Sequence, residues 1–249
     1  NAGQNDLICV TGNLGAAYMG LQMLEREKAV FNSTEQNSNT PFAPDFSGKE
    51  YLLERQLKPE ARQDIIAQLK EAGVQPTSMI DISDGLSSEL MHLCKQSGTG
   101  CSIFQERIPI DYQTALAAEE FNMDVYTCAL NGGEDYELLF TVPLTDHDKI
   151  IKMKDVKLIG HMTRPELGLH LITKSGQEIE LKAQDIPVEI IYEDSDIIVV
   201  NKPFFVNVLA KIKENAEALT AFTSNNDIGD IVIRLCRKNY PYFNDYVER

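Results

Sequence analysis

The sequence predicts an α+β domain, a mixed α/β sheet covered by helices and followed by a small tail. Three observations carry that expectation. Short apolar runs lead directly into helical patterns at two places, strand and helix periodicities alternate along the first 184 residues or so, and neither an internal repeat nor a heptad seam appears.

Residues 7–10 form an apolar strand. Asn13 stands where it would cap a helix whose apolar face is Leu14, Ala17, Tyr18, Leu21 and Leu24. The turn containing Gly12 and Gly15 lacks the Lys of a P-loop and the spacing of a dinucleotide fingerprint, so a structural turn is the simpler reading than an anion cradle. Residues 32–47 are rich in Asn, Ser, Thr, Pro and Gly and read as a loop. The acceptor pattern Asn32-Ser33-Thr34 carries no weight without a secretory signal. Residues 49–55 read as a short helix. Pro59 is placed to open another that buries Ile65, Ile66 and Leu69 and ends near Gly73, while Arg55, Lys58 and Arg62 read as a solvated basic face.

Residues 77–80 read as a short buried strand running into Asp81-Ile82-Ser83-Asp84-Gly85-Leu86. From there Leu86, Leu90 and Leu93 recur at helical spacing. Ser83 or Asp84 would cap the new helix, and Gly85 would admit a close backbone neighbour. Two carboxylates three residues apart, with a hydroxyl between them, also suit a hard cation and the phosphates it carries, because Mg²⁺ shares its oxygen ligands with substrate. A cap and a turn would account for the hexapeptide taken alone. The helix is expected over 87–96, stopping at Gly98 and Gly100, followed by a strand over 101–104, an extended connector at 108–110 and a helix over 112–120. A second acidic turn, Asn131-Gly132-Gly133-Glu134-Asp135-Tyr136-Glu137, then leads into a strand. Tyr136, Leu138 and Phe140 alternate along that strand, with Glu134 and Asp135 at its mouth and Glu137 on the other face. Residues 145–153 read as a helix. Three short strands follow around 158–161, 169–172 and 178–181, the last two joined by a Lys174-Ser175-Gly176-Gln177 turn.

D-I-S-D-G-L followed about fifty residues later by G-G-E-D-Y-E-L resembles thiamine-monophosphate kinase, of the superfamily of aminoimidazole ribonucleotide synthetase and selenophosphate synthetase. The opening Asp6-Leu7-Ile8-Cys9-Val10-Thr11-Gly12-Asn13-Leu14-Gly15 resembles the strand and turn that start the C-terminal domain of that kinase. The likeness covers roughly residues 3 to 184. It implies an aminoimidazole ribonucleotide synthetase C-terminal-like domain over residues 1–184. It also implies ATP-dependent, Mg²⁺-assisted transfer of a phosphoryl group to thiamine monophosphate, giving thiamine diphosphate. On that template Asp81 and Asp84 are metal ligands, Ser83 contacts the nucleotide and Glu134 touches the thiamine phosphate. Asp135 is a carboxylate behind the metal or linked to it, and no side chain acts as nucleophile or general base. Full-length members are expected as cytoplasmic homodimers. Two departures stand out. In the family the preceding domain supplies most acidic metal ligands and much of the ATP site, and an aromatic ring, often Trp, lies beside the thiamine near the C-terminus. This chain starts without that domain and without an initiator Met, and it has no Trp. It is therefore expected to be a fragment with little or no activity alone. The alternative is a noncatalytic docking module or gene fragment of the same fold. Sibling synthetases use other motifs at the second turn.

Past Ala183 the likeness stops. Residues 188–203 look like the opening hairpin of large-family pseudouridine synthase catalytic domains but lack any H-R-L-D-like element, and a plain hairpin ending at Lys202-Pro203 accounts for them. Helical patterning recurs near 209–219 and 228–235. Residues 185–249 are thus expected as a separate tail, a fusion or a truncated second domain.

Composition sets the outer bounds. Among 249 residues, 43% are apolar, enough for a core, and the formal charge of −15 opposes nonspecific binding to nucleic acid or anionic membrane. An acidic protein that handles phosphate needs cations. No run approaches the ~18 apolar residues of a membrane span, and the polar start is no signal peptide. The odd count of five cysteines without C-x-x-C spacing points to reduced, buried thiols. Cys94 and Cys101 could pair, though a helix end and a strand explain them as well. The four histidines show no metal-ligand spacing.

Overall fold

In a computed structural model the chain divides into two compact units, Asn1–Ala183 and Gln184–Arg249. The structure describes residues 1–35 and 46–181, and beyond them the backbone of four strands. The first unit is built on a seven-stranded sheet in the order β2-β4-β1-β5-β3-β6-β7. Its strands are β1 (Leu7–Thr11), β2 (Ser78–Asp81), β3 (Gly100–Phe104), β4 (Leu138–Val142), β5 (Val156–Thr163), β6 (Leu169–Ile172) and β7 (Glu178–Glu180). All neighbours run antiparallel except β3 and β6.

β1 lies inside the sheet, between β4 and β5, and is buried along its whole length, which is why it reads as an uninterrupted apolar run. Its side chains alternate between two cores. Ile8 and Val10 join Leu139, Ile159 and Ile103 beneath Leu86, Leu90 and Leu93 of α4 (Leu86–Ser97) and Ala129 and Leu130 of α6 (Val125–Asn131). Leu7 and Cys9 point the other way, with Phe140, Val142 and Val156, against Ile65 and Leu69 of α3 (Gln63–Glu71) and Ile150 of α7 (His147–Ile150). A third cluster joins α1 (Ala16–Glu35) and α6 to α2 (Glu50–Leu57) and α5 (Tyr112–Glu120) through Met19, Met23, Leu52, Ala117 and Cys128.

Several expectations need correction. α1 buries Ala16, Ala17, Tyr18, Met19 and Met23, whereas Leu21 and Leu24 are only half-buried. The helix also runs on to Glu35, so Asn32 belongs to it rather than to a loop; residues 36–45 lie outside the described residues. Pro59 opens no helix: α3 starts four residues later, and Ile66 is exposed while Ile65 and Leu69 are buried. β2 is an edge strand with Met79 exposed, not a buried one. α6 was not expected, and the helix expected over 145–153 shrinks to a 3₁₀ turn at Leu144–Asp146 and the single turn of α7. Cys9, Cys94, Cys101 and Cys128 are free, buried thiols, and burial holds Cys9 up at about 12; Cys236 lies outside the described residues.

The second unit contributes β8 (Glu189–Glu193), β9 (Ile197–Asn201), β10 (Leu219–Thr223) and β11 (Asp230–Leu235), an antiparallel sheet in the order β10-β11-β9-β8. β8 and β9 pair as neighbours, as a plain hairpin requires. β11 replaces the helix expected over 228–235, because the β-branched run Ile231-Val232-Ile233 favours a paired strand over helical spacing. The residues 209–218 of the other helical pattern lie outside the described residues.

Candidate active site

β2 and β4 pair with Asp81 opposite Leu138, so the two acidic turns leave the sheet side by side. Beyond the strands the backbones continue to pair. Ile82 N donates to Glu137 O at 2.7 Å, Tyr136 N to Ile82 O at 2.8 Å and Glu134 N to Ser83 O at 2.7 Å. The contact requires Gly133 and Gly85. Gly133 has φ 69°, and a Cβ there would press on the Ser83 carbonyl oxygen and stand 3.2 Å from Asp84 Cα. At Gly85, with φ 112°, a Cβ would meet Leu130 O at 2.7 Å at the end of α6.

The side chains that emerge here form one acidic face. Asp81, Asp84, Glu134 and Tyr136 are exposed, and Ser83 is half-buried. The Tyr136 hydroxyl donates to Glu134 Oε2 at 3.2 Å. Burial first, then the charges of Glu134, Asp81 and Asp84, push its phenol above the ordinary range, which keeps it a donor. Glu134 and Tyr136 both adopt left-handed backbone, with φ 62° and 50°, a conformation bulky residues hold only where surroundings impose it. That geometry removes Tyr136 from the strand alternation expected for it. β4 begins two residues later.

Gly85, not Ser83 or Asp84, occupies the cap position of α4. The amides of Ser83 and Asp84 are held instead by Glu89, whose Oε1 accepts from Ser83 N at 3.1 Å, Ser83 Oγ at 3.3 Å and Asp84 N at 2.8 Å. Glu89 is 2% exposed, and burial raises its pKa.

Asp135 and Glu137 point inward. The Asp135 carboxylate accepts from Gly15 N at 2.8 Å and Ala17 N at 3.4 Å, capping α1 in place of Asn13. The glycine turn after β1 is thus filled by a carboxyl group of the protein's own, as a structural turn requires. Glu137 lies against Gly12, where no Cβ would fit, and accepts from Thr11 Oγ1. Its carboxylate is clamped by Arg55 at 2.9 Å and Arg62 at 2.5 Å. Arg55 also donates to Asp135 O at 2.9 Å. These two arginines are therefore mostly buried partners of Glu137, not the solvated face expected of them; Lys58 alone is exposed.

Burial holds the Asp135 carboxyl up at about 7, against the pull of the Gly15 and Ala17 amides and of Arg55. The native state thus keeps a proton that the unfolded chain loses near pH ~4. Its stabilising contribution is complete below that pH and is lost as pH rises through about 7. The stability of the protein relative to Asp135→Asn is expected to fall across this window in urea titrations at stepped pH. A difference independent of pH would contradict the assignment.

Of the residues singled out in sequence, the structure brings Asp81, Ser83, Asp84 and Glu134 together and sets Asp135 behind them. Glu89 went unassigned, and no role at the site was expected of Tyr136, Glu137, Arg55 or Arg62. Glu89 carried a signal: it falls on the apolar stripe of α4 at Leu86, Leu90 and Leu93. Glu137 carried one too, in phase with buried Leu139 and Thr141.

Among the described residues no group of three His, Cys, Asp or Glu side chains is placed to hold a metal alone, and no helix is long and apolar enough to cross a membrane. No protein-family model matches the chain. The thiamine-monophosphate kinase of Buchnera aphidicola subsp. Schizaphis graminum is 37% identical over 178 residues, 69% of this chain and 49% of that protein. The chain is a relative of the thiamine-monophosphate kinases. The Escherichia coli K12 thiamine-monophosphate kinase is 34% identical over 185 residues. A solved structure of AaThiL complexed with AMPPCP and TMP superposes with a TM-score of 0.56 at 29% identity, covering 73% of this chain and 51% of that one. The chain spans about half the length of the thiamine-monophosphate kinases it matches.

Proposed function

We propose that this chain is the half of a thiamine-monophosphate kinase that presents one wall of an ATP and thiamine monophosphate site, working with a complementary half. What supports the reading is the meeting of the two acidic turns through Glu134 N and Ser83 O at 2.7 Å, together with relatives of that activity. AaThiL complexed with AMPPCP and TMP indicates the ligand pair to test.

Phosphoryl transfer asks for positioning and charge neutralisation more than for covalent help. Asp81 and Asp84, exposed on one corner, fit as part of a Mg²⁺ site whose other ligands come from phosphate oxygens and water. Bound there, the ion would neutralise charge on the transferring group. A carboxylate faces a phosphate favourably only across a cation, so Glu134 beside Asp84 is read as meeting the acceptor phosphate over shared metal. Ser83 offers its hydroxyl oxygen to the nucleotide. The Tyr136 phenol steadies Glu134.

The isolated chain is expected to form thiamine diphosphate far below the ~1–10³ s⁻¹ usual for enzymes. Turnover within that range by the purified chain would show that no complementary half is needed. Failure to bind either ligand would favour the noncatalytic module.

A further inference from the structure

We infer that Glu89 is a positioning residue for the acidic corner, holding Ser83 and Asp84 in the arrangement that the proposed function requires; the inference rests on that reading. The corner has no regular secondary structure, and its exposed residues cannot be fixed by packing. On the inner side its backbone is held by a buried oxygen. Glu89 Oε1 collects two consecutive amides and one hydroxyl within 3.3 Å, from a side chain anchored on the core face of α4 between Leu86 and Leu90. On the outer side, Ser83 O is held by Glu134 N and Ile82 O by Tyr136 N. The corner is thus pinned from two directions, and Glu89 supplies the inner contacts.

The same geometry orients Ser83. When its hydroxyl donates inward to Glu89, its lone pairs are free to face outward, toward the side where Asp81, Asp84 and Glu134 emerge. An oxygen presented in that way acts as an acceptor, suited to a cation or to a donor on the ligand. It is poorly suited to donate to a phosphate. Glu89 therefore sets the polarity of Ser83 as well as its place. A carboxylate is costly on a buried helix face, and an apolar residue there would stabilise the core. Its role at the corner accounts for its presence.

The test compares the intact chain with Glu89→Met, which keeps the volume but removes the acceptor, Glu89→Ala as a second acceptor-less variant, and Glu89→Gln, which keeps an acceptor oxygen. Two quantities are read: amide hydrogen exchange in the segment containing Ser83 and Asp84, and affinity for AMPPCP with Mg²⁺ by calorimetry. In Glu89→Met and Glu89→Ala, exchange at those two amides is expected to rise at least about tenfold beyond any global change, and affinity to fall at least about tenfold. Glu89→Gln is expected to restore both to within about threefold. Unchanged exchange in an acceptor-less variant overturns the inference, and so does faster exchange with unchanged affinity. If the intact chain binds no AMPPCP, the proposed function fails, and the exchange data alone decide whether Glu89 holds the corner.

Discussion

Glu137→Ala is expected to lower the free energy of unfolding by about 3–5 kcal/mol, the range for removing one partner of a buried ion cluster. Glu137 is 2% exposed and satisfies Thr11, Arg55 and Arg62 together; its loss removes the buried carboxylate shared by two guanidiniums that are 18% and 13% exposed, leaving Arg55 the Asp135 carbonyl and Arg62 the exposed Asp64. The same cluster binds three stretches distant in sequence, β1, α2 with the segment before α3, and the mouth of β4. The fold therefore loses more than one contact. Glu137→Gln keeps the shape and an acceptor, and is expected to cost less. Urea unfolding monitored by circular dichroism reads both. A loss below about 1 kcal/mol for Glu137→Ala, the level of an exposed ion pair, would show that the cluster contributes little.

Gly133→Ala carries the second large effect. At φ 69° an L-residue costs about 1–2 kcal/mol, and the added methyl group meets the Ser83 carbonyl and the Asp84 backbone, for a further 1–3 kcal/mol or so. Relief comes only by parting the two acidic turns. The expected outcome is a stability loss of about 2–5 kcal/mol together with weakened binding of both ligands. A variant as stable as the parent would mean that the turns are not locked together as the Glu134 N to Ser83 O contact indicates.

The difference in how far the fold and the site were legible follows from where each property is encoded. β1, α5 and β6 could be read because their patterns are local: an inner strand is apolar throughout, the extended connector at 108–110 sets the start of α5, which Asp111 caps by accepting from Gln113 N, and alternation marks a half-covered strand. α1 and α3 went astray at their starts, since the acceptor for α1 comes from Asp135, 120 residues away, and Arg62 is drawn to Glu137 across the fold. Short-range capping rules contain no such partner. β11 shows the opposite failure, where helical spacing was read into a run whose β-branched residues pair as a strand.

At the site, Asp81, Ser83, Asp84 and Glu134 were identifiable because side-chain chemistry and motif spacing coincide there. Arg55 and Arg62 were misread because a basic helix face and a buried clamp look alike until the opposing carboxylate is located. Asp135 and Glu137 belong to the same acidic motif as Glu134, yet both turn inward to the glycine turn after β1. A motif of three acids thus divides its labour: one faces outward and two hold the scaffold.

The most direct test of the central claim is calorimetry of the purified chain with AMPPCP and with thiamine monophosphate, each with and without Mg²⁺, repeated for Asp84→Asn and Glu134→Gln. The predicted result is Mg²⁺-dependent binding of both ligands by the parent chain. Asp84→Asn is expected to weaken the nucleotide and Glu134→Gln the thiamine monophosphate, each at least about tenfold, or about 1.4 kcal/mol, with unfolding curves unchanged. Binding that is indifferent to both substitutions would remove the joined acidic turns from the ligand site.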